Sequence, residues 1–567
     1  MDDFEIENGV LISSSKRASF VEIPNCVTCI GFEAFSDWYN MVAVEIPNSV
    51  TSIDKYAFTD CYYLVSVEIP NSVVSIGEGC FSGCISLTSI EIPNSVVDIG
   101  GLAFSGCYRL TSITVDDGNQ CFDSRDDCNA IINTKANSLI VGCKSTKIPS
   151  GIARIGDWAF SGCEELESIE IPGSVTCIGD NAFFGCSGLT SIDIHEGVTS
   201  IGNEAFIDCE NMESVSIPDS VAWIGREAFS KCSSLVSVVI PKNVASIGDE
   251  TFSSCSGLTS VTIPNSVVSI GYGAFSGCSG LTSIIIPNSV TSIGNWAFSD
   301  CSGLFSVVIP NAVTTIGNGV FSDCSGLTSV TLPNSVTSIG NWAFSGCSDL
   351  TSIVIPESVT RIGKGAFSDC SGLTSINIPN SVTSIGEGAF SGCSGLTSIN
   401  IPNSVTSIGE GAFSDCSSLS LVEIPSSVVE ISKEAFDGYN GLISVVISDG
   451  VTRIEDEAFY GCSGLISIVI PNSVISIGEE AFSGCNGLTS IVIPSGVITI
   501  EMLAFCDCKS LKEIHIRNQH PSQMDIYYDA FEDTPIEDCT LYVPIGTGYE
   551  YRHHPVFGKF KEVIIEK

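Results

Sequence analysis

The residue with the most chemistry to offer in this chain is cysteine, present 27 times among 567 residues. A thiol can be a nucleophile, a zinc ligand or half of a disulfide, and spacing decides among these. Eighteen of the cysteines fall on one 23-residue period: Cys61, Cys84, Cys107, then every 23 residues from Cys163 to Cys416, then Cys462, Cys485 and Cys508. Disulfide-rich secreted domains are short and irregularly spaced, and a zinc site needs four ligands converging on one point. A line of thiols, one per period, supplies neither, so the column reads as a structural slot for a small buried apolar side chain. Cys121, Cys128 and Cys143 lie off the column and share a stretch with Asp116, Asp117, Asp123, Asp126 and Asp127. A Cys121–Cys128 disulfide is open to this segment in an oxidising compartment; three buried or free thiols is the plainer reading. The aspartates have the composition of a calcium loop without the EF-hand spacing, and a solvated acidic loop fits them better. No metal and no cofactor is expected.

Four of the five histidines, His515, His520, His553 and His554, gather near the C-terminus. His553 and His554 are adjacent and no H-E-x-x-H accompanies them, so a terminal cap is the better reading than a metal or catalytic cluster. Neither G-x-x-x-x-G-K-[ST] nor G-x-S-x-G occurs. The chain is expected not to be an enzyme; a hydrolase site hidden in the insert or the cap is the weakest of three functional readings. With 23 basic against 65 acidic residues the net charge is −42, which argues against nucleic acid and against anionic membrane surfaces, both of which need clustered Lys and Arg. No apolar run reaches about 18 residues, so no transmembrane segment is expected. The opening MDDFEIENGV is acidic and lacks the pattern of a signal peptide. The expectation is a protein kept inside the cell, one whose leader has been removed, or one exported by an unconventional route.

What positions the thiols is a repeat. The frame LTSVTIPNSVVSIGYGAFSGCSG, residues 258–280, returns every 23 residues, and its proline recurs at Pro24, Pro47, Pro70, Pro93, Pro149, Pro172, Pro218, Pro241 and onward. Asp116, His195, Ser448 and Arg517 stand in that slot where proline is missing, and 23 turns are counted. Leu258, Val261 and Ile263 form an L-x-x-I-x-I pattern, the alternation of a short strand with one buried side, which Pro264 ends because it cannot donate to a ladder. Val267 and Ile270 give a second short extended stretch, ended by Gly271. Ala274, Phe275, Cys278 and Leu281 follow at offsets that suit one helical or 3₁₀ turn, with Gly280 in the place of a left-handed cap. A single coil buries too little to fold alone, so stability is expected to be cooperative along the stack.

The frame L-T-S-I-x-I-P-N-S-V-T-S-I-G-x-x-A-F-S-G-C-S-G, as in residues 373–395, closely resembles the BspA-like leucine-rich repeats. Residues 128–149, CNAIINTKANSLIVGCKSTKIP, resemble an insert of bacterial members, and residues 540–567 resemble their C-terminal cap. The resemblance implies a leucine-rich-repeat solenoid: a right-handed curved coil of 23-residue repeats, with a parallel β-sheet on one face and short strands and helical or 3₁₀ turns on the others. It also implies surface proteins of oral and gut bacteria and of parasitic protists, associated with adhesion to host cells and matrix proteins.

The expected division is an N-terminal cap at 1–17, first coils at 18–116, an inserted β-hairpin at 117–148 that projects from the solenoid, a main array at 149–516, and irregular last coils with a cap at 517–567. In each first strand the residue before the last Ile faces outward, giving one side chain per coil. The row begins acidic, with Glu22, Glu45, Glu68 and Glu91, then Glu170 and Asp193. It turns apolar or small at Val239, Thr262, Ile285, Val308, Thr331 and Val354, and again at Val446, Val469 and Val492. Stacked like charges are mutually repulsive, so the acidic part suits a basic partner, and the aliphatic part is a candidate binding strip. The bland alternative is duplicated strand residues, β-branched because strands favour them. Trp158, Trp296 and Trp342 share the slot before Ala-Phe with Tyr56; they are candidate aromatic anchors or simply covers for neighbouring coils. The function expected is that of a non-enzymatic protein-binding repeat protein. Two forms of it stand open: a cell-surface or secreted adhesin recognising host or matrix proteins, and an intracellular scaffold.

Overall fold

The computed structural model describes residues 4–15, 18–438 and 440–566; residues 1–3 and 16–17 of the expected N-terminal cap lie outside them. The chain forms two compact units, Met1–Pro287 and Asn288–Lys567. Each is a stack of β-solenoid coils, about 24 turns in all. That is one more than the frame count, because strand Val10–Ser14 adds a rung, pairing parallel with Cys29–Ile30.

A coil of the first unit displays the logic. Strand Ser191–Ile194 alternates exposed Ser191 and Asp193 with buried Ile192 and Ile194. It pairs in parallel with Ser168–Ile171 before it and Ser214–Ser216 after it, each residue opposite its counterpart 23 positions away. Register is fixed because a one-residue slip would turn Ile192 and Ile194 to water. Strand Ser200–Ile201 makes the second rung, between Cys177–Ile178 and Trp223–Ile224.

The third segment differs from the expected helical turn. Glu204 and Asp208 have left-handed backbones, φ +54° and +60°, and each reverses the chain direction. Alternate N–H groups therefore leave the coil: those of Glu204, Phe206 and Asp208 donate to the carbonyls of Arg226, Ala228 and Ser230 in the next coil, at 2.8, 2.8 and 3.1 Å. The N–H groups between them close overlapping turns, Ile207 to Glu204 and Cys209 to Phe206. A helix would keep all of these bonds inside the coil; here they build a third ladder between coils. Nor is Gly280 the left-handed residue. Gly277 is, with φ +74°, whereas a Cβ on Gly280 would sit 2.5 Å from the Ser256 carbonyl oxygen of the preceding coil. That glycine answers close approach, not turn geometry.

The interior consists of identical side chains piled on one another. Phe160, Phe183, Phe206 and Phe229 stack with centroids 4.9 to 5.2 Å apart and planes within 8°. In the second unit Phe344, Phe367 and Phe390 do the same at 5.4 Å. The periodic thiols lie beside them, buried as expected except at half-buried Cys163 and outside any disulfide, and they also bond. The S–H donates to the carbonyl of the phenylalanine 26 residues earlier: Cys84 to Phe58 at 3.2 Å, Cys232 to Phe206 at 3.3 Å, Cys393 to Phe367 at 3.1 Å. Near the last coils Thr534 takes the role, its hydroxyl donating to the Phe505 carbonyl at 2.6 Å.

The insert forms its hairpin, Ala130–Asn133 antiparallel to Ser138–Gly142, but it does not project. Its second strand runs parallel to Arg154–Ile155 as part of the second-rung sheet, and Ala130, Ile131, Ile132 and Leu139 are fully buried. The insert takes the place of a coil that lacks the Ala-Phe turn, and the flanking turns close over the gap: the Gly106 N–H donates to the Ser161 carbonyl at 3.1 Å. Cys121 and Cys128 are free thiols, which sets aside the disulfide between them; the Cys128 thiol faces the Ala130 carbonyl at 3.8 Å.

Both ends are covered. Strand Phe4–Glu7 folds antiparallel on Val10–Ser14, and Trp38 tilts over Phe35 at 5.2 Å. At the other end, Phe531 continues the aromatic stack from Phe505, and Phe560 closes it edge-on at 5.5 Å and 83°. The short helix Gly548–His553 brings Tyr551 inward, where its buried hydroxyl donates to the Asn518 carbonyl at 2.9 Å.

Candidate binding surface

The outward row exists as expected. Strand Phe20–Glu22 lies beside Ala43–Glu45, so Glu22 faces Glu45, both exposed. Glu68, Glu91, Glu170 and Asp193 are exposed too, with Glu91 opposite Thr114 and Glu170 opposite Asp193. In the same unit Val239 and Ile285 stand 63% and 83% exposed. In the second unit Val308 and Val354 are 64% and 80% exposed; Val308 faces Thr331, and Val354 bridges to Asn377. Val446 is half-buried between Glu423 and Val469.

The structure adds a second outward row that the alternation argument misses: the residue directly after the frame's first Leu. That position is Thr in the consensus and apolar in some coils, and this departure is the signal that could have found it. Val236, Phe305, Ile443 and Ile466 occupy it, 50 to 60% exposed. Ile443 and Ile466 join adjacent coils through a 3.0 Å backbone bond, and Val446 pairs with Val469 in those same coils. Ile443 and Val446 thus stand beside Ile466 and Val469 on two adjacent coils, with Ser444 and Ser467 between them, and Val469 borders a groove of about 580 Å³ lined by Ile447, Asp449, Pro471, Val492 and Arg517.

The tryptophans sit elsewhere, at the first left-handed corner of the turn segment, and do not join the strand row. Trp296 and Trp342 meet each other, centroids 6.4 Å apart, while Trp158 tilts against Phe184 at 5.8 Å and Tyr56 is edge-on to Phe32 at 6.0 Å. Among the described residues no group of three or more His, Cys, Asp or Glu is placed to hold a metal ion. The histidines are dispersed among structural contacts: His515 stacks on Tyr542 and bonds Glu566, and His553 faces the Tyr549 carbonyl. Burial holds the column thiols far from ionisation, pushing Cys107 and Cys186 up to about 12, so they are not nucleophiles.

The BspA type leucine rich repeat region, a pattern of six copies, matches residues 6–127, 130–259, 245–374, 344–442 and 429–547. The chain belongs to the BspA-type leucine-rich repeat family. Among solved structures it is similar to a leucine-rich repeat protein from Eubacterium ventriosum, 26% identical over 52% of this chain and 91% of that one, TM-score 0.45. It is also similar to a leucine rich cell surface protein from Faecalibacterium prausnitzii, 29% identical over 65% and 92%, TM-score 0.35. A leucine-rich repeat protein from Bacteroides ovatus is 25% identical over 87% and 88%, TM-score 0.30. No curated protein matches. Family membership is consistent with a protein-binding repeat role. Among the described residues no helix is long and apolar enough to cross a membrane.

Proposed function

We propose that this BspA-type protein is a cell-surface or secreted adhesin that recognises host or matrix proteins through its first-strand face. The observation that carries the reading is the exposure of aliphatic side chains there: Ile285 at 83%, Val354 at 80%, and Ile443, Val446, Ile466 and Val469 on two adjacent coils. Alternation already buries the other side of each strand, so these side chains add nothing to the interior. A row of them on adjacent strands gains a little from cross-strand contact and more by meeting a partner. The acidic part of the row adds selectivity for basic surfaces, and that contribution is sensitive to salt. The test is capture of proteins from host-cell extract by the full chain, repeated with Val354→Ser and with Ile443→Ser/Ile466→Ser. Protease treatment of intact producing cells runs alongside. Capture that fails with the serine variants, together with loss of the protein to the protease, supports the reading; capture indifferent to them, or a protein shielded from the protease, overturns it.

An intracellular scaffold using the same face is the second reading. It is favoured by the cysteines, none of them in a disulfide and one, Cys26, exposed, a pattern that suits a reducing compartment.

A further inference from the structure

Trp296, Gly319, Trp342 and Gly365 occupy the same corner in successive coils, and all four have left-handed backbones, φ +60°, +59°, +52° and +57°. Such a corner tips its side chain over the following coil. A Cβ on Gly319 would meet Cε3 of Trp296 at 2.2 Å, and one on Gly365 would meet Cδ1 of Trp342 at 2.6 Å. The alternation of Trp with Gly is what gives each indole a place to lie. The two rings come to rest with centroids 6.4 Å apart and planes inclined by 25°. Trp342 keeps 37% of its surface exposed and Trp296 is half-buried. A cation is attracted to an aromatic face when it lies within about 6 Å of the ring centroid. A cation seated over the ring faces, close to the line joining the centroids, therefore lies within that distance of both.

We propose that the Trp296–Trp342 pair is a binding site for the guanidinium of an arginine on a partner protein. The planar guanidinium stacks on indole faces, and its apolar stem covers the ring edges. Charge on the same edge favours it. Asp300 and Asp323 occupy the next left-handed corner of adjacent coils, both exposed. The Asp323 carboxylate leans over the coil that carries Trp342, its Oδ1 2.4 Å from where a Gly346 Cβ would stand. Burial, and then the neighbouring charge of Asp323, hold the Asp300 carboxyl above its ordinary range, a cost that an arriving cation relieves. The basic side chain beside Gly365, Lys364, is paired with Glu387 at 2.6 Å. A neutral flat ligand such as a sugar ring could stack on the indoles and donate hydroxyls to the carboxylates, but it would not neutralise their charge, whereas a guanidinium does both. The proposal rests on the reading of the chain as a protein-binding surface, yet it uses a different edge of the coil from the strand row, so either can fail without the other.

The test follows the indole N–H resonances of the full-length protein during titration with acetyl-Gly-Arg-Gly-amide. The same peptide with citrulline for arginine, and methyl glucoside, are titrated in parallel. The expected result is saturable shifts of the Trp296 and Trp342 signals with the arginine peptide, and binding about tenfold weaker with the uncharged citrulline peptide. Trp342→Phe retains binding and Trp342→Leu loses it about tenfold, with matching urea midpoints showing that both variants are folded. Equal binding of the citrulline peptide, preference for the sugar, no shift at millimolar peptide, or indifference to Trp342→Leu each overturns the proposal. Capture experiments with the strand-row variants report on the strand row separately.

Discussion

The strand row of residues 20–115 and that of residues 306–493 rest on one kind of interior and differ outward, the first mostly acidic and the second mixed aliphatic and polar. Beneath both lie stacked phenylalanines, Phe58 on Phe81 at 5.2 Å and Phe367 on Phe390 at 5.4 Å. Beneath both run thiol bonds, Cys84 to Phe58 at 3.2 Å and Cys393 to Phe367 at 3.1 Å. Outward, the first presents Glu22, Glu45, Glu68 and Glu91, the second Val308, Val354, Val446 and Val469, interrupted by Thr331, Asn377, Asn400 and Glu423. An interior side chain is held between two copies of itself and must suit both. An outward one meets only its row neighbours and solvent, so its chemistry is free to change from coil to coil. In this architecture stability is written inside the coil and recognition outside it.

The largest test of that division is Phe58→Ala against Phe390→Ala. Each opens a cavity between two stacked rings and is expected to cost about 3–5 kcal/mol, seen as similar falls in urea midpoint for the acidic and the aliphatic region. Alkali probes all thiol columns together. A thiol held at about 12 in the folded protein, as for Cys107, Cys370 and Cys508, but near 9 when unfolded, keeps its proton in the folded state while the unfolded state gives it up. Stability is therefore intact below about pH 9 and falls as pH rises from there toward 12. Circular dichroism across that window is expected to record a steep, cooperative loss, and a thiol reagent at pH 8 to label Cys26 well before the column. Cys232→Ala removes one of two donors to the Phe206 carbonyl, which keeps the Cys209 N–H, an expected cost of about 0.5–1.5 kcal/mol; Cys232→Ser restores part of it, as Thr534 does naturally. Smallest are the outward changes: Glu45→Gln gains tenths of a kcal/mol by relieving repulsion, and Val354→Ser stays within about 0.5 kcal/mol. If an outward substitution shifts the urea midpoint as far as Phe390→Ala does, the separation of the two roles is broken. Salt titration of a captured partner sharpens it: contacts on the Glu row weaken with ionic strength and contacts on the Val row do not.

The coil is legible in the sequence because each column is a period. Pro264 marks a strand end, Ile192 and Ile194 mark the buried side, and the thiol column marks interior space, all readable from types at fixed spacing. The turn segment around Ala274, Phe275 and Cys278 is not a helical turn, although its spacing suggests one, because an offset of three fits both a helix and a chain of tight turns. Only the left-handed corners tell them apart, and these are held by Glu204, Asp208 and Trp296 as well as by glycine, so composition does not announce them. The hairpin 130–142 is readable as a hairpin, but its docking depends on pairing with Arg154–Ile155, which no local pattern encodes. The outward row is visible from alternation alone. The meeting of Trp296 with Trp342 is not, because it depends on how far a corner side chain leans.

At the phenylalanine corner the backbone bonds between coils run one way: N–H groups of Phe35, Phe58 and Phe81 reach forward to Ala57, Cys80 and Ala103. A stack cut at a coil boundary would thus expose, at this corner, donors on one face and acceptors on the other, a head that fits its own tail. Such surfaces add copies without closing and grow into fibres. The antiparallel hairpin at residues 4–14 and the edge-on Phe560 depart from that match at the first and last described coils.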